Sequence, residues 1–343
     1  MKKKLRILTV AAVLLLTMGN LAAESLHYDQ HEEMDLNGVD EIVLEIKNLS
    51  PKITAGIDLL GIEVHVTSHS EKKLVSDLNM NVFSVAEDSI PQTIIEKEGH
   101  LVRVRFTIES GSTFDFIRAG KIRSYIRIPE TYEGKIRIVS SSYDIIVHDI
   151  EIVDLEIQGK AGNVELNNLT AKNLTVECEM GDTKFNQVNA DMGSFKSTLG
   201  NIKCGIATFK EVSFENYYSR ISVEDLKAEQ AFFLNDEGAT NIDMIEGKTR
   251  IQSNKGNVRA YFAKIIDDIT VVNDSGFVRV YLPENSSFNY QYNDGGIGRV
   301  EFDFEQKEST NNRTAFQHAG TVGNGGPVVE VSVSSGSLKI LPY

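Results

Sequence analysis

The residues of this chain recur with a period close to 19. Nine marker residues, six of them glycine, follow this period at steps of 18, 19 or 20: Ser124, Tyr143, Gly162, Gly181, Gly200, Ser219, Gly238, Gly256 and Gly276. A fixed period of this length is typical of stacked repeat folds, in which each unit contacts only its neighbours. The period therefore constrains the architecture before any single residue is considered.

Apolar and polar residues alternate within each unit. Positions two, four and fourteen after the marker are apolar in most units, as at Val164, Leu166 and Val176. A period of two indicates a strand with one buried face. Residues 124–304 are therefore predicted to form an all-β, single-stranded parallel β-solenoid (β-helix) of about nine coils of ~19 residues, stacked about 4.8 Å apart. Two short strands are expected in each coil, and caps at both ends.

Two other fold classes compete with the solenoid. A helical fold requires a period of 3.6, which the alternating Tyr125–Pro129 lacks. An immunoglobulin-like sandwich has many short strands, but it does not repeat its side chains at a constant step. The sandwich remains the alternative.

The turns between strands carry their own signal. Glycine at the marker position suits a corner that requires positive φ. The next position is Asn or Asp in several units, where we expect these side chains to bond their own backbone in a turn: Asn163, Asp182, Asn201 and Asn257.

The flanks of the repeat differ from its centre. Residues 1–23 have a basic start, an apolar stretch and Leu21-Ala22-Ala23 before Glu24, which predicts a secretory signal peptide, with an uncleaved anchor as the alternative. Residues 24–123 are predicted to form irregular coils and a cap. Residues 305–343 are predicted to form a surface loop, up to residue 327, and closing strands. No membrane span is expected after signal removal, and the chain is expected in the periplasm, at the cell surface or outside the cell.

The charge of the chain is strongly negative. Removal of the four basic residues in 1–23 takes the formal net charge from −14 to −18. Such a surface repels nucleic acid and anionic membranes, so neither is an expected partner. The two cysteines, Cys178 and Cys204, fall on inward positions of different coils and are expected to be two separate buried thiols.

The repeated Gly-Asn/Asp-hydrophobic-x-hydrophobic units, the segment Glu96–Val104 and the closing segment Pro327–Ile340 together resemble the bacterial putative-adhesin β-solenoid domains. The resemblance covers roughly residues 40–343. It implies an exported domain of unknown function, and it supplies no catalytic residues.

Motifs for chemistry are sparse. His27/His31 and His65/His69 are spaced by four residues, but the second pair lies in an alternating segment and the first in the polar start of the mature chain, so no metal is predicted. No cofactor is predicted either. Glu224 and Asp243 occupy equivalent outward positions on adjacent coils, about 5 Å apart. This pair keeps one alternative open, a carbohydrate-active β-helix enzyme (lyase or hydrolase).

Two apolar features interrupt the polar exterior. Phe114, Phe116 and Arg118 lie in an insertion, where they either contact a partner or plug the end of the solenoid. Phe232 and Leu234 fall on outward positions, where they form an interface, including one between copies of the chain, or lie under a flanking loop. The sequence thus favours a non-catalytic, exported scaffold or adhesin-like binding module for an envelope protein or glycan.

Overall fold

The computed structural model describes residues 25–47, 50–69, 92–107, 120–295, 298–312 and 316–343. These ranges contain 21 β-strands and no helix. It follows that no helix within them has the length and apolar character needed to cross a bilayer. Residues 1–23 and the side chains of Phe114, Phe116 and Arg118 lie outside the described residues, so the signal peptide and the insertion stay predictions.

The middle of the chain forms a regular stack of parallel strands. Its members are β8 (Lys135–Ser140), β9 (Ile145–Ala161), β10 (Val164–Met180), β11 (Thr183–Ser197), β12 (Ile202–Asn216), β13 (Ile221–Glu237), β14 (Thr240–Lys255), β15 (Val258–Phe262) and β16 (Ile269–Leu282).

The register of this stack follows the sequence period. Val164 pairs with Thr183, and Thr183 pairs with Ile202, on consecutive rungs. The β-solenoid prediction is therefore confirmed.

Each coil is more continuous than the predicted two short strands. Strand β10 runs through 17 residues, and its inward positions fall into three groups separated by bends. One bend falls on residues with positive φ that are not glycine, namely Asp149, Asn168 and Gln187. These occupy equivalent positions in consecutive coils, so this bend repeats from rung to rung.

The interior is a column of apolar side chains. Phe185, Phe195, Phe214 and Phe233 stack along it, with ring centroids 4.2, 5.4 and 4.9 Å apart in that order. Phe195, Phe214 and Phe233 are fully buried. Burying one such side chain contributes about 1.5–3 kcal/mol, and stacking adds about 0.5–1.5 kcal/mol. This packing holds the outward faces of successive rungs in a fixed relation.

The prediction of positive φ at the marker glycines is confirmed at four of the six and is wrong at Gly200 and Gly238. Gly162 and Gly181 have φ of 99° and 122°. At Gly200 the constraint is close approach, because an added Cβ would lie 1.6 Å from the carbonyl oxygen of Gly181. Successive corners therefore touch through their backbones.

The Asn and Asp residues that follow these glycines act differently from the prediction. The side-chain oxygen of Asn163 accepts a hydrogen bond from the backbone N–H of Asp182 at 3.0 Å, and that of Asp182 accepts one from Asn201 at 3.0 Å. Asn201 in turn accepts one from Arg220. The expectation that these side chains bond their own backbone is wrong, because at the rung spacing the next coil presents the nearer donor.

The first end of the stack contains strands that leave sequence order. They are β1 (Ser25–Met34), β2 (Glu41–Ile46), β3 (Pro51–Gly56), β4 (Leu60–His69), β5 (Gln92–Glu98), β6 (Leu101–Thr107) and β7 (Gly120–Pro129). Strand β2 lies between β6 and β8, and β3 lies between β7 and β9.

This insertion changes the register expected from the period. Ile126 pairs with Ile53, and Ile53 pairs with Val147. The period of 19 places Ile126, two residues after Ser124, directly beneath Ile145, two residues after Tyr143. This prediction is wrong, because a rung from earlier in the chain separates them. The polar segment with His27 and His31 is strand β1, which pairs with β4.

The second end repeats this arrangement. Its strands are β17 (Phe288–Asn293), β18 (Val300–Phe302), β19 (Gln306–Asn312), β20 (Gln317–Val322) and β21 (Val328–Pro342). Strand β21 lies between β16 on one side and β17 and β18 on the other. The prediction of a loop over residues 305–327 is wrong for β19 and β20, which pair with each other, while β20 also pairs with β17.

Antiparallel strands cap both ends. At the first end β5 pairs with β6, and β4 pairs with both β7 and β1. At the second end β20 and β19 extend from β17. Polar and charged residues dominate the outermost strands β1 and β19, which discourages edge-to-edge pairing with other chains.

Both cysteine thiols are buried and free, as predicted. Burial raises the pKa of the Cys178 thiol and that of the Cys204 thiol.

Candidate functional site

The predicted apolar contact residues do not form an extended patch. Phe232 and Leu234 face outward and are half-buried. On neighbouring rungs Phe232 stands between Ser213 and Arg250, and Leu234 likewise stands between polar residues, Glu215 and Gln252. A role for this pair in self-association stays a prediction.

The predicted carboxylate pair lies on an open surface. Glu224 and Asp243 follow Val223 and Ile242, which pair on adjacent rungs, and both acidic side chains are exposed. A guanidinium nitrogen of Arg259 donates to the Asp243 carboxylate at 2.7 Å. A general acid needs shielding from solvent, and a nucleophilic carboxylate needs to be free of a competing partner. Glu224 and Asp243 are both open to solvent, and Asp243 already has Arg259 as a partner, so the pair meets neither requirement.

A groove crosses the rungs on the face that carries these acids. It has a volume of about 600 Å³ and is open to solvent. Its floor consists of outward side chains from consecutive coils: Glu165, Lys184, Lys203, Ser222, Asn241 and Arg259. Six rungs at about 4.8 Å spacing give this row a length of about 24 Å. The groove is therefore long and shallow, which suits an extended ligand.

The groove continues into a region rich in arginine. Arg259 pairs with Arg279, and Arg279 pairs with Lys339, on three consecutive rungs. Arg220 and Phe277 help to line a smaller depression beside them, with a volume of about 290 Å³. Positive charge is thus concentrated on one part of a chain whose net charge is −14.

A tyrosine column runs beside the basic residues. The Tyr261 and Tyr281 rings are stacked with centroids 4.0 Å apart, and Tyr343 meets Tyr261 edge-on at 5.5 Å. The Tyr343 hydroxyl donates to the carbonyl oxygen of Phe262 at 2.8 Å. Desolvation, followed by repulsion from the Tyr281 hydroxyl, raises the pKa of Tyr261. The phenol therefore stays neutral at physiological pH and can donate a hydrogen bond.

The sequence period identified only part of this surface. It aligned Arg259 with Arg279 and Tyr261 with Tyr281, but these four were not among the predicted site residues. Lys339 has no place in the period, because strand β21 reaches its rung from beyond the β19–β20 pair. The repeated aromatic-basic alternation in Arg259–Tyr261 and Arg279–Tyr281 was the available signal.

Metal ligands are not gathered in the described part of the chain, where no three His, Cys, Asp or Glu side chains are grouped so as to hold an ion.

Comparisons with known proteins concern the fold. The sequence matches the family described as Toastrack DUF4097 over residues 40–203 and again over residues 176–341. This match confirms the resemblance drawn from the repeat units and the closing segment. No curated protein matches the chain.

Two solved structures are similar to the chain. One is a putative cell adhesion protein from Clostridium sporogenes ATCC 15579, which is 10% identical with a TM-score of 0.28 and covers 93% of this chain and 100% of its own. The other is a putative adhesin from Bacteroides fragilis NCTC 9343, which is 12% identical with a TM-score of 0.36 and covers 93% of this chain and 98% of its own.

Proposed function

This chain belongs to the Toastrack DUF4097 family, and from that premise we propose that it is a non-catalytic binding module of the cell envelope. In this proposal residues 1–23 direct export, and the mature chain acts in the periplasm, at the cell surface or outside the cell. Its partner is an envelope protein or glycan, bound along the groove.

The observation that carries this proposal is the shape of the groove. Its floor takes one side chain from each of six consecutive rungs, from Glu165 to Arg259. Parallel hydrogen-bonded ladders join these rungs, and the buried phenylalanine column supports the three rungs of Lys184, Lys203 and Ser222. A rigid surface loses little conformational entropy when it binds, and its polar side chains stand at regular rung spacing along an extended molecule.

The enzyme alternative has weaker support. Glu224 and Asp243 are exposed, and Arg259 occupies the Asp243 carboxylate. A glycosidase carboxyl that protonates a leaving group needs apolar surroundings. A binding role requires no such surroundings.

The proposal is tested by binding of the purified chain to an array of envelope polysaccharides and fractionated envelope proteins. Ser222 lies in the middle of the groove floor, so Ser222→Trp is expected to weaken binding at least tenfold. Thr175 is exposed on another face of the coil and serves as the control, Thr175→Trp. Retention of no component, or equal loss in both variants, would refute a groove-binding function. Release of new reducing or unsaturated sugar ends, abolished by Glu224→Gln, would favour the enzyme instead.

A further inference from the structure

Nine outward side chains form a three-by-three grid at the basic end of the groove. We call this surface the Arg279 grid. Three consecutive rungs contribute three residues each, at alternate positions: Asn257, Arg259 and Tyr261; Phe277, Arg279 and Tyr281; Ser337, Lys339 and Leu341. Arg279 stands at its centre, between Phe277 and Tyr281 on its own strand and between Arg259 and Lys339 on the neighbouring rungs.

The three basic residues of the grid differ in their partners. Arg259 is paired with Asp243 at 2.7 Å, and Lys339 is paired with Glu301 at 2.5 Å. Among the described residues, no carboxylate forms an ion pair with Arg279. The central guanidinium therefore keeps its planar fork of donors available, while its neighbours hold their positions through fixed pairs.

Aromatic surface flanks this guanidinium on both sides. Phe277 is 55% exposed, and its backbone N–H is fixed by the side chain of Asn257 at 3.0 Å. On the other side, Tyr281 is locked against Tyr261, over whose ring the Arg259 guanidinium lies at 5.6 Å. Exposed aromatic carbon on a soluble chain is a feature that binding sites use. Here it lies on either side of an unpaired positive charge.

We infer that the Arg279 grid binds an acidic glycan, with the carboxylate of a uronic acid residue on the Arg279 guanidinium and sugar rings against Phe277 and the Tyr261–Tyr281 pair. A guanidinium and a carboxylate match in a two-bond, charge-assisted geometry. The C–H face of a sugar ring is weakly apolar and fits an aromatic ring. This inference rests on the proposed binding function and names its ligand class.

The arrangement fits an acidic glycan better than a nucleic acid. A nucleic acid carries a phosphate on every nucleotide and needs an unbroken basic track. Here carboxylates already neutralise the outer two basic residues, and the chain as a whole is negative at −14. A glycan with one carboxylate per disaccharide has its charges further apart, so a single unpaired guanidinium can match one of them, and it offers uncharged ring faces between them.

The test measures binding of the full chain to hyaluronan, in which a uronic acid alternates with a neutral sugar, with dextran as the neutral glycan and single-stranded DNA as the phosphate polymer. Arg279→Ala is expected to weaken hyaluronan binding at least tenfold. Arg279→Lys keeps the charge but loses the fork, and it is expected to recover only part of the affinity. Arg250→Ala removes the same charge from the exposed face of another part of the coil, and it is expected to have no effect. Circular dichroism and thermal unfolding establish that each variant is folded.

Four outcomes overturn the inference. Equal weakening by Arg279→Ala and Arg250→Ala would mean unspecific attraction. Tighter binding of single-stranded DNA than of hyaluronan would assign the grid to phosphate polymers. Binding of dextran or of an envelope protein that Ser222→Trp abolishes and Arg279→Ala leaves intact would remove this ligand and retain the proposed function. Absence of any binding would remove both.

Discussion

The middle of the stack and its two ends consist of similar rungs, but they differ in where the neighbouring strand lies in the sequence. From Val164 to Phe262 each rung lies on the rung that precedes it in the sequence. At the ends the neighbour comes from far away: β2 lies between β6 and β8, and β21 lies between β16 and β17. A simple solenoid is held by contacts between sequence neighbours, and its last units can unfold alone. Here the outer rungs are tied to the middle through strands from elsewhere in the chain.

Removal of an interleaved strand should have the largest effect. Deletion of residues 328–343 removes the hydrogen-bond ladders to β16, β17 and β18 and several fully buried side chains, among them Val331 and Ile340. We expect a loss of at least about 5 kcal/mol, seen as aggregation or a Tm lower by about 10 °C or more. Light scattering and thermal denaturation followed by circular dichroism measure it.

The control is the shorter, ten-residue outer strand β1. Among the described strands β1 pairs with β4 alone, so deletion of residues 25–34 is expected to lower the Tm by less than about 3 °C. Equal effects of the two deletions would mean that an interleaved strand is held no more firmly than an outer one.

Corner glycines should show the next largest effect. A Cβ at Gly200 would lie 1.6 Å from the Gly181 oxygen, and one at Gly336 would lie 1.9 Å from the Gly276 oxygen. Gly200→Ala and Gly336→Ala are each expected to cost about 3 kcal/mol or more in urea denaturation. The control Gly159→Ala places its Cβ 3.6 Å from the nearest atom and should be close to neutral. A mild Gly336→Ala beside a severe Gly200→Ala would show that β21 packs more loosely than the middle rungs.

The inter-rung carboxylate Asp182 should contribute less, and its contribution should depend on pH. Desolvation raises its pKa, but hydrogen bonds from Lys203 and Asn201 outweigh this and lower the pKa from 3.8 to about 2. A lowered folded-state pKa stabilises the chain above pH 3.8, and this stabilisation is lost as the pH falls through about 2. Asp182→Asn is expected to cost about 1 kcal/mol at pH 7, discounted for partial exposure.

This cost should approach zero near pH 2, which urea titrations at several pH values would detect. At the second end, the hydrogen bond from Lys339 lowers the pKa of Glu301. Because that carboxylate is solvent-exposed, Glu301→Gln is expected to have the smaller effect. A pH-independent cost for Asp182→Asn would contradict the electrostatic origin.

The smallest effect is expected for the reactivity of the two buried thiols. Cys178 and Cys204 are buried in the middle of the stack, and desolvation raises the pKa of both thiols. We expect a thiol-reactive reagent at pH 8 to label neither thiol in the folded chain while it labels both in urea. Rapid labelling of Cys178 in the folded state would mean that the corner beside it opens locally.

The sequence predicted the parts of the fold that are local in character. The period of 19 and the alternation around Val164 and Ile202 specify coils, inward faces and a parallel register, because each coil pairs with the next along the chain. The neighbour of Ile126 was missed, since the intervening Ile53 lies outside the repeating segment. A strand inserted from a distant part of the sequence has the same apolar-polar alternation as its neighbours. Its insertion does not change the number of residues between the two rungs that it separates, so the period cannot reveal it.

The residues of the candidate site also divide into those that the sequence period aligns and those that a distant strand brings in. The period alone aligns Arg259 with Arg279 and Tyr261 with Tyr281, whereas Lys339 joins them only through the pairing of β21.

The Asn and Asp residues at the corners show a second limit of prediction from sequence, which concerns hydrogen-bond partners. The side-chain oxygen of Asn163 can accept from its own turn or from the next coil, and only the distance between rungs decides that it accepts from Asp182.

The place of β21 also sets the order in which the molecule can be assembled. Residues 288–302 leave the ribosome before residues 328–342, yet in the finished fold they stack on them and not on residues 269–282. Growth from the first rung onward cannot complete the stack, since the penultimate layer is synthesised after the outer one. The outer layer cannot dock on the stack until residues 328–342 are available, so a chain truncated before residue 328 lacks the layer on which β17 and β18 lie.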